Sequence, residues 1–263
     1  MLATAGPWVE MIELNPPRLP DTSHRELEGK WTDVLITDNV FGQVRVSPYA
    51  YAARITHDIP AVRPTVVVST RDRNILAIES EVRGAIGNGV RSMFVVVGDT
   101  LPEVDHRANH YEIVQHLRRL QDDLPTFEVG MPTRLQEWTF RKRIDAGAQF
   151  FIAGPMLDPA TIEPSVARLN LRDDDPPVFL GIVPPFSPRW AKRMVGVGAV
   201  EGSDEFRARL SAVPKEKRRP HAWLLAREAA DRARDAGCRG VVLMGLKFET
   251  VVGEAYTEWN NEV

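Results

Sequence analysis

Carboxylates and hydroxyls close one apolar run after another in this chain. Glu13 lies inside the run VEMIEL, just before Asn15 and a double proline; Asp38–Asn39 end DVLITD; Ser69–Thr70–Arg71–Asp72 follow TVVV; and Asp99 follows SMFVVVG. Groups of these types move protons or hold polar ligands. Asp, Asn, Ser and Thr also favour turns and helix caps, where they bond the backbone. Glutamate is a poor turn former, so Glu13 is the strongest candidate for chemistry. The six histidines show no paired metal spacing: His106 and His110 are four apart but lie where the chain enters a polar helix, and no metal is expected.

The elements that must position these groups follow from periodicity. Eight β-rich runs, VEMIEL, DVLITD, TVVVST, SMFVVVG, FEVGM, QFFIAG, VFLGIV and GVVLMG, alternate with amphipathic segments. Helix candidates are 74–87, 110–122, 134–146, 160–169, 188–195 and 220–236, several followed by GNG or DAG triplets where a glycine cap belongs. Nearly continuous apolar strands separated by helices imply a parallel sheet covered on both faces. Eight such units over residues 1–263 predict a single-domain (β/α)8 TIM barrel, whose active site is built from the C-terminal strand ends and the loops after them. Glu13, Asn15, Asp38, Ser69, Thr70 and Asp99 would then share one rim. Lys247, after the eighth strand, is a further candidate for cofactor contact, because loops there often form phosphate sites. VGVGAVEG at 195–202 follows a helix candidate, so a loop is expected there and not a dinucleotide fingerprint. Trp138, Trp190 and Trp223 fall in helix candidates and are expected to pack against the barrel.

Composition excludes other classes. The chain has 263 residues, 43% hydrophobic and 26% charged, with net charge −3 and one cysteine, Cys238. Mixed charges offer no basic face for nucleic acid, a lone cysteine cannot build a disulfide framework, and no run approaches the ~18 apolar residues of a membrane span. A cytoplasmic protein acting on a small molecule, with a homo-oligomer as one option for its assembly, is expected.

Five blocks, IELNPP, STRDRN with a helix ending in GNGVR, VVVGD, RKRIDAGAQFFIAGPMLD and LGIVPPFSPRWAKRM, resemble in order the blocks of the methylenetetrahydrofolate reductase family. The resemblance implies a barrel that reduces 5,10-methylenetetrahydrofolate to 5-methyltetrahydrofolate. It implies Glu13 as the general acid that opens the imidazolidine ring and Asp99 as the pterin-binding carboxylate. Glu13 should then occupy a poorly solvated pocket that raises its pKa, while Asp99 stays ionised. The family's flavin contacts are altered: Val67 stands for a histidine, Val97 for an arginine, Met131 for a tyrosine and Gly154 for a glutamine. Arg143 matches a basic residue of the family and reads as a solvated surface charge. Two readings follow, a flavin-independent reductase of the type known in mycobacteria, with NADH or NADPH lying where flavin would, and an FAD enzyme with relocated contacts. The first is favoured, with Ser69, Thr70, Met131, Gly154 and Lys247 as candidate cofactor positions. Gln136 or Gln149 would replace the family glutamine toward the folate, beside Asn15 and Asp38. A silent folate-binding subunit and a methyltransferase-type pterin-binding barrel are the remaining alternatives.

Overall fold

In the computed structural model, which describes residues 1–2, 6, 8–99, 108–196 and 204–260, eight parallel strands close into a barrel in sequential order. The strands are β1 (Val9–Leu14), β2 (Asp33–Ile36), β3 (Arg63–Ser69), β4 (Ser92–Val96), β5 (Glu128–Thr133), β6 (Phe150–Met156), β7 (Val178–Ile182) and β8 (Gly240–Leu243), with β8 pairing back onto β1. The helices outside are α1 (Pro48–Asp58), α2 (Ile75–Gly87), α3 (His110–Leu120), α4 (Glu137–Asp145), α5 (Ile162–Ala167), α6 (Pro188–Gly196), α7 (Asp204–Ala212) and α8 (Arg218–Asp235). Two short helices, α9 (Phe248–Thr250) and α10 (Tyr256–Asn260), follow β8. The (β/α)8 expectation holds. The sequence reading did not single out α1 or α7; in α1 the proline start and the tyrosines at 49 and 51 mask the helical period. The glycine-rich 195–202 segment lies, from 197 on, outside the described residues, as does His106.

Side-chain alternation along each strand sorts the apolar residues into two cores. Met11, Leu35, Val67, Phe94, Phe150, Ile152, Phe179 and Val242 fill the lumen, whereas Ile12, Leu14, Ile36, Val66, Val68 and Met131 face the helices. The lumen is packed and not a pore: the Phe94 and Phe150 rings stack at 6.0 Å, and Phe179 meets Phe150 edge-on at 6.4 Å. Gly130 makes room for this, because a Cβ there would come within 2.4 Å of the Phe150 ring. The strands are apolar on both faces for this reason, since one face meets the lumen and the other the helices.

Caps set the helix boundaries. Asn74 accepts the Ala77 N–H at 2.9 Å to start α2, and Asn109 accepts the Tyr111 N–H at 3.0 Å to start α3. The expected glycine stops are present: Gly89, Gly147 and Gly237 follow α2, α4 and α8 with positive φ. These turns fix where each strand begins and therefore which residues its far end delivers to the mouth. Among the described residues no helix is long and apolar enough to cross a membrane.

Candidate active site

Parity along β1 decides the fate of Glu13. Val9 and Met11 point into the lumen, so Glu13, two residues on, points the same way at the mouth, with Leu35 of β2 as its register partner. Its Oε1 accepts the Gly245 N–H at 3.1 Å, from the loop after β8. Burial pushes the Glu13 carboxyl above its ordinary value of 4.5, and the Gly245 bond offsets this only in part. A carboxyl that keeps its proton at higher pH than an exposed glutamate is suited to donating one.

Glu13 opens onto a cavity of about 390 Å³ between the loops after β1, β2 and β8, lined also by Asn15, Ser23, Arg45, Tyr51 and Lys247. Asn15 is oriented by Thr37, whose hydroxyl donates to its Oδ1 at 2.9 Å. Arg45 donates to the Pro16 carbonyl at 2.9 Å and to Gln43 Oε1 at 3.3 Å, and its buried Nε has no hydrogen-bond partner among the described residues. Tyr51 is kept protonated, its pKa raised by burial and then by Asp21. Lys247 is exposed at the start of α9 and supplies a second cation to the cavity. An acid pushed toward its protonated form and an oriented amide share this cavity with two cations, Arg45 and Lys247, and with two further carboxylates, Asp21 and Glu249; Glu13 can pass a proton to a polar ligand held there.

The opposite side of the rim is built by the loops after β2, β3 and β4. Ser69 faces inward, and its Oγ accepts the Arg71 N–H at 3.3 Å. Arg71, 8% exposed, reaches the Asn39 carbonyl through Nη2 at 3.0 Å and lies 3.8 Å from Asp99. Asp99 accepts the Phe41 N–H at 2.6 Å. Gly154 sits at the top of β6 with φ +88°, hemmed by the Met156 N–H and the Gly181 carbonyl. Among the described residues no group of three or more His, Cys, Asp or Glu side chains gathers where it could hold a metal ion.

Several expected site residues lie elsewhere. Gln149 precedes β6 and so stands at the closed end of the barrel, where its Oε1 accepts the Val129 N–H at 3.0 Å and the Gln121 amide at 2.9 Å. Met131 belongs to the outer core, because its parity on β5 turns it to the helices. Asp38 is fully buried and ion-paired with Arg73, which also bonds Glu81 at 3.1 Å and lies 5.9 Å from the Tyr49 ring centre, so this carboxylate stabilises the packing of α1 and α2. Thr70 likewise turns outward and is buried. Arg143 is half-buried, not solvated, and burial, opposed by neighbouring Tyr111, lowers its pKa. Trp223 and Trp190 pack as expected, but Trp138 is 67% exposed. Arg45 and Arg71 escaped the sequence reading: both are surrounded by turn residues, and only the fold shows them to be near the mouth and partly enclosed.

No family model matches the chain, and no curated protein matches it in sequence. Solved structures do resemble it. Oxaloacetate acetylhydrolase in complex with the inhibitor 3,3-difluorooxalacetate aligns over 97% of this chain and 80% of its own, with TM-score 0.58 and 11% identity. A 2,3-dimethylmalate lyase, a PEP mutase/isocitrate lyase superfamily member, aligns over 96% of this chain and 79% of its own, with TM-score 0.56 and 12% identity. At such identities the likeness shows the fold.

These findings correct the reductase expectation. The two solved structures just described are a hydrolase and a lyase, a different family from the methylenetetrahydrofolate reductases, and no family model speaks for reduction of a CH–NH group. Three of the matched stretches are parts of the β/α repeat itself. GNGVR is the stop of α2 and the entry to β4, RKRIDAGAQFFIAG is the end of α4, the Gly147 turn and β6, and VVVGD is the end of β4. Each is what a β/α repeat demands of its turns, whatever the barrel binds. The folate and the nicotinamide were implied by that resemblance and lose its support.

Proposed function

We propose that this barrel is an acid–base enzyme acting on a small carboxylate-bearing substrate, with carbon–carbon bond cleavage as its reaction class. The observation that carries the reading is Glu13, a lumen-facing carboxyl whose burial favours its protonated form at the mouth of a cavity that also holds Arg45 and Lys247. In a hydroxy acid, or in the hydrate that water forms with an oxo acid, a hydroxyl gives its proton to solvent water and becomes a carbonyl as the adjacent carbon–carbon bond breaks; the electron pair left on the other carbon takes the Glu13 proton, the carboxylate so formed is held by the Gly245 N–H, and solvent returns a proton to it. Arg45 and Lys247 reach the substrate's carboxylate, with Asp21 and Glu249 on the same cavity wall offsetting part of their charge, and Asn15 fixes a polar group beside it. The structural likenesses agree with this class: one is an acetylhydrolase named for oxaloacetate, the other a lyase named for dimethylmalate, both small dicarboxylates. The single cysteine, Cys238, is buried, which pushes its thiol up to about 12, and it takes no part in this chemistry.

Oxaloacetate, 2,3-dimethylmalate and a panel of other 2-oxo and hydroxy dicarboxylates, each followed by proton NMR with the purified protein, test the reading. At least one should be cleaved, and Glu13→Gln should slow that cleavage by about 10²- to 10⁴-fold, the usual contribution of general acid catalysis. No cleavage across the panel, or full activity in the Glu13→Gln variant, would falsify it.

A further inference from the structure

Buried N–H and O–H groups in folded proteins nearly always find an acceptor. Two groups that lack one among the described residues sit on consecutive residues where β3 leaves the barrel, Oγ1 of Thr70 and Nη1 of Arg71. The arginine is the costlier of the two, because a guanidinium cannot lose its charge by deprotonation. Its Nη2 is engaged with Asn39 and its backbone N–H with Ser69. The Oδ2 of Asp99 approaches Nη1 at 3.8 Å, which is an ion-pair distance and too long for a hydrogen bond. The short bond of that carboxylate goes instead to the Phe41 N–H at 2.6 Å.

The geometry points to Arg71 as the group that recognises a carboxylate of the ligand, through Nη1 and in place of the distant Asp99 carboxylate. This deepens the reading of a carboxylate substrate and rests on it. A planar carboxylate matches the guanidinium fork, and a charged hydrogen bond made out of solvent is strong enough to discriminate between ligands. Asp99 is placed to yield. Its side chain is 41% exposed, and the turn it braces holds Phe41 at φ +56°, in the left-handed region that an aromatic residue enters at a cost. A ligand carboxylate at Nη1 would replace the long ion pair with a short one, and where Asp99 swings away the Phe41 N–H bond is given up and the strained turn is released.

Oxalate is the probe, titrated calorimetrically into the full chain. Saturable binding is expected, weakened about 10-fold or more in Arg71→Met, as the loss of a charged hydrogen bond predicts, and by less in Arg71→Lys. Asp99→Asn removes the competing carboxylate and should tighten binding several-fold, a gain that a merely structural Arg71 would not produce. Thermal melts confirm that each variant is folded, and Arg71→Lys serves where Arg71→Met is not. No binding to the wild type, unchanged affinity in Arg71→Met, or weakening in Asp99→Asn equal to that in Arg71→Met each overturns the assignment. Binding that depends on Arg71 in a protein that cleaves no dicarboxylate leaves the assignment standing and removes the lyase reading; cleavage with unchanged oxalate affinity in Arg71→Met does the reverse.

Discussion

The two ends of the barrel carry similar polar residues and use them in opposite ways. At the closed end, where the strands begin, Arg63 grips Asp33 through two bonds of 3.0 and 2.6 Å, Glu128 accepts from Ser92 and from the Leu2 N–H, and Gln149 joins Val129 to Gln121. These side chains are tied to partners that close the barrel. At the mouth, Glu13 is pushed toward its protonated form and accepts a single N–H, while Arg71 Nη1, Thr70 Oγ1 and Arg45 Nε have no hydrogen-bond partner among the described residues. Backbone strain divides the same way. Of the four described non-glycine residues with positive φ, Asn39, Phe41 and Asp72 lie in the mouth loops and only Asn170 lies elsewhere. The polar groups named at the closed end stabilise the fold; at the mouth some, such as Asp38 with Arg73, do the same, while Glu13, Arg45 and Arg71 are left incompletely bonded at a cost in stability, as expected where a scaffold keeps groups ready for a ligand.

The largest expected effect separates these uses directly. Glu13→Gln at the mouth should remove most turnover and leave the fold intact. Glu128→Ala at the closed end should do the opposite. It strands the Ser92 hydroxyl and the Leu2 N–H in a buried site, for a loss of about 3 kcal/mol in unfolding free energy, since each orphaned group costs roughly 1–3 kcal/mol. Chemical denaturation and the oxalate titration together check this: lower stability with unchanged affinity keeps the two ends distinct, and a matching loss of affinity merges them.

Protonation sharpens the comparison further. Because the folded pKa of Glu13 lies above its ordinary 4.5, the native state binds its proton more tightly than the unfolded chain does. Below 4.5 both states are protonated and nothing is lost; as pH rises from there toward the folded pKa, the wild type loses stability that Glu13→Gln keeps. The variant's advantage in melting temperature should therefore be near zero at about pH 4, grow as the pH rises past 4.5, and level off above the folded pKa. An advantage that is flat with pH would mean that Glu13 is solvated and that the mouth holds no stored proton.

How much of this was legible in the sequence differs between the same two regions. The barrel was readable because turns and strands obey local rules: Gly89, Gly147 and Gly237 stop helices where the triplets said they would, and Glu13 followed from its place in an apolar run. Gln149 and Met131 were misplaced because a one-residue change of parity, or a position before the strand instead of after it, moves a side chain to the other face or the other end. Arg71 was invisible because nothing in STRDRN tells an enclosed guanidinium from a solvated one; that depends on Asn39 and Asp99, which lie 32 and 28 positions away and meet it only when the barrel closes. Part of what the family reading matched was likewise local, the turns and strand ends of the β/α repeat.

The smallest effect concerns the strained turn. Phe41 is 47% exposed, so its ring contributes little packing, yet its backbone is held in the left-handed region. That conformation costs a non-glycine residue about 1–2 kcal/mol, and glycine would recover it while forfeiting roughly 0.4–1 kcal/mol through a freer unfolded chain. Phe41→Gly should thus leave stability unchanged or raise it by up to about 1.5 kcal/mol in denaturant melts, against the usual result of deleting an aromatic residue. A loss beyond about 2 kcal/mol, more than the strain itself is worth, would show that the Phe41 ring is anchored to the barrel, and the mouth would then be as fully committed to stability as the closed end.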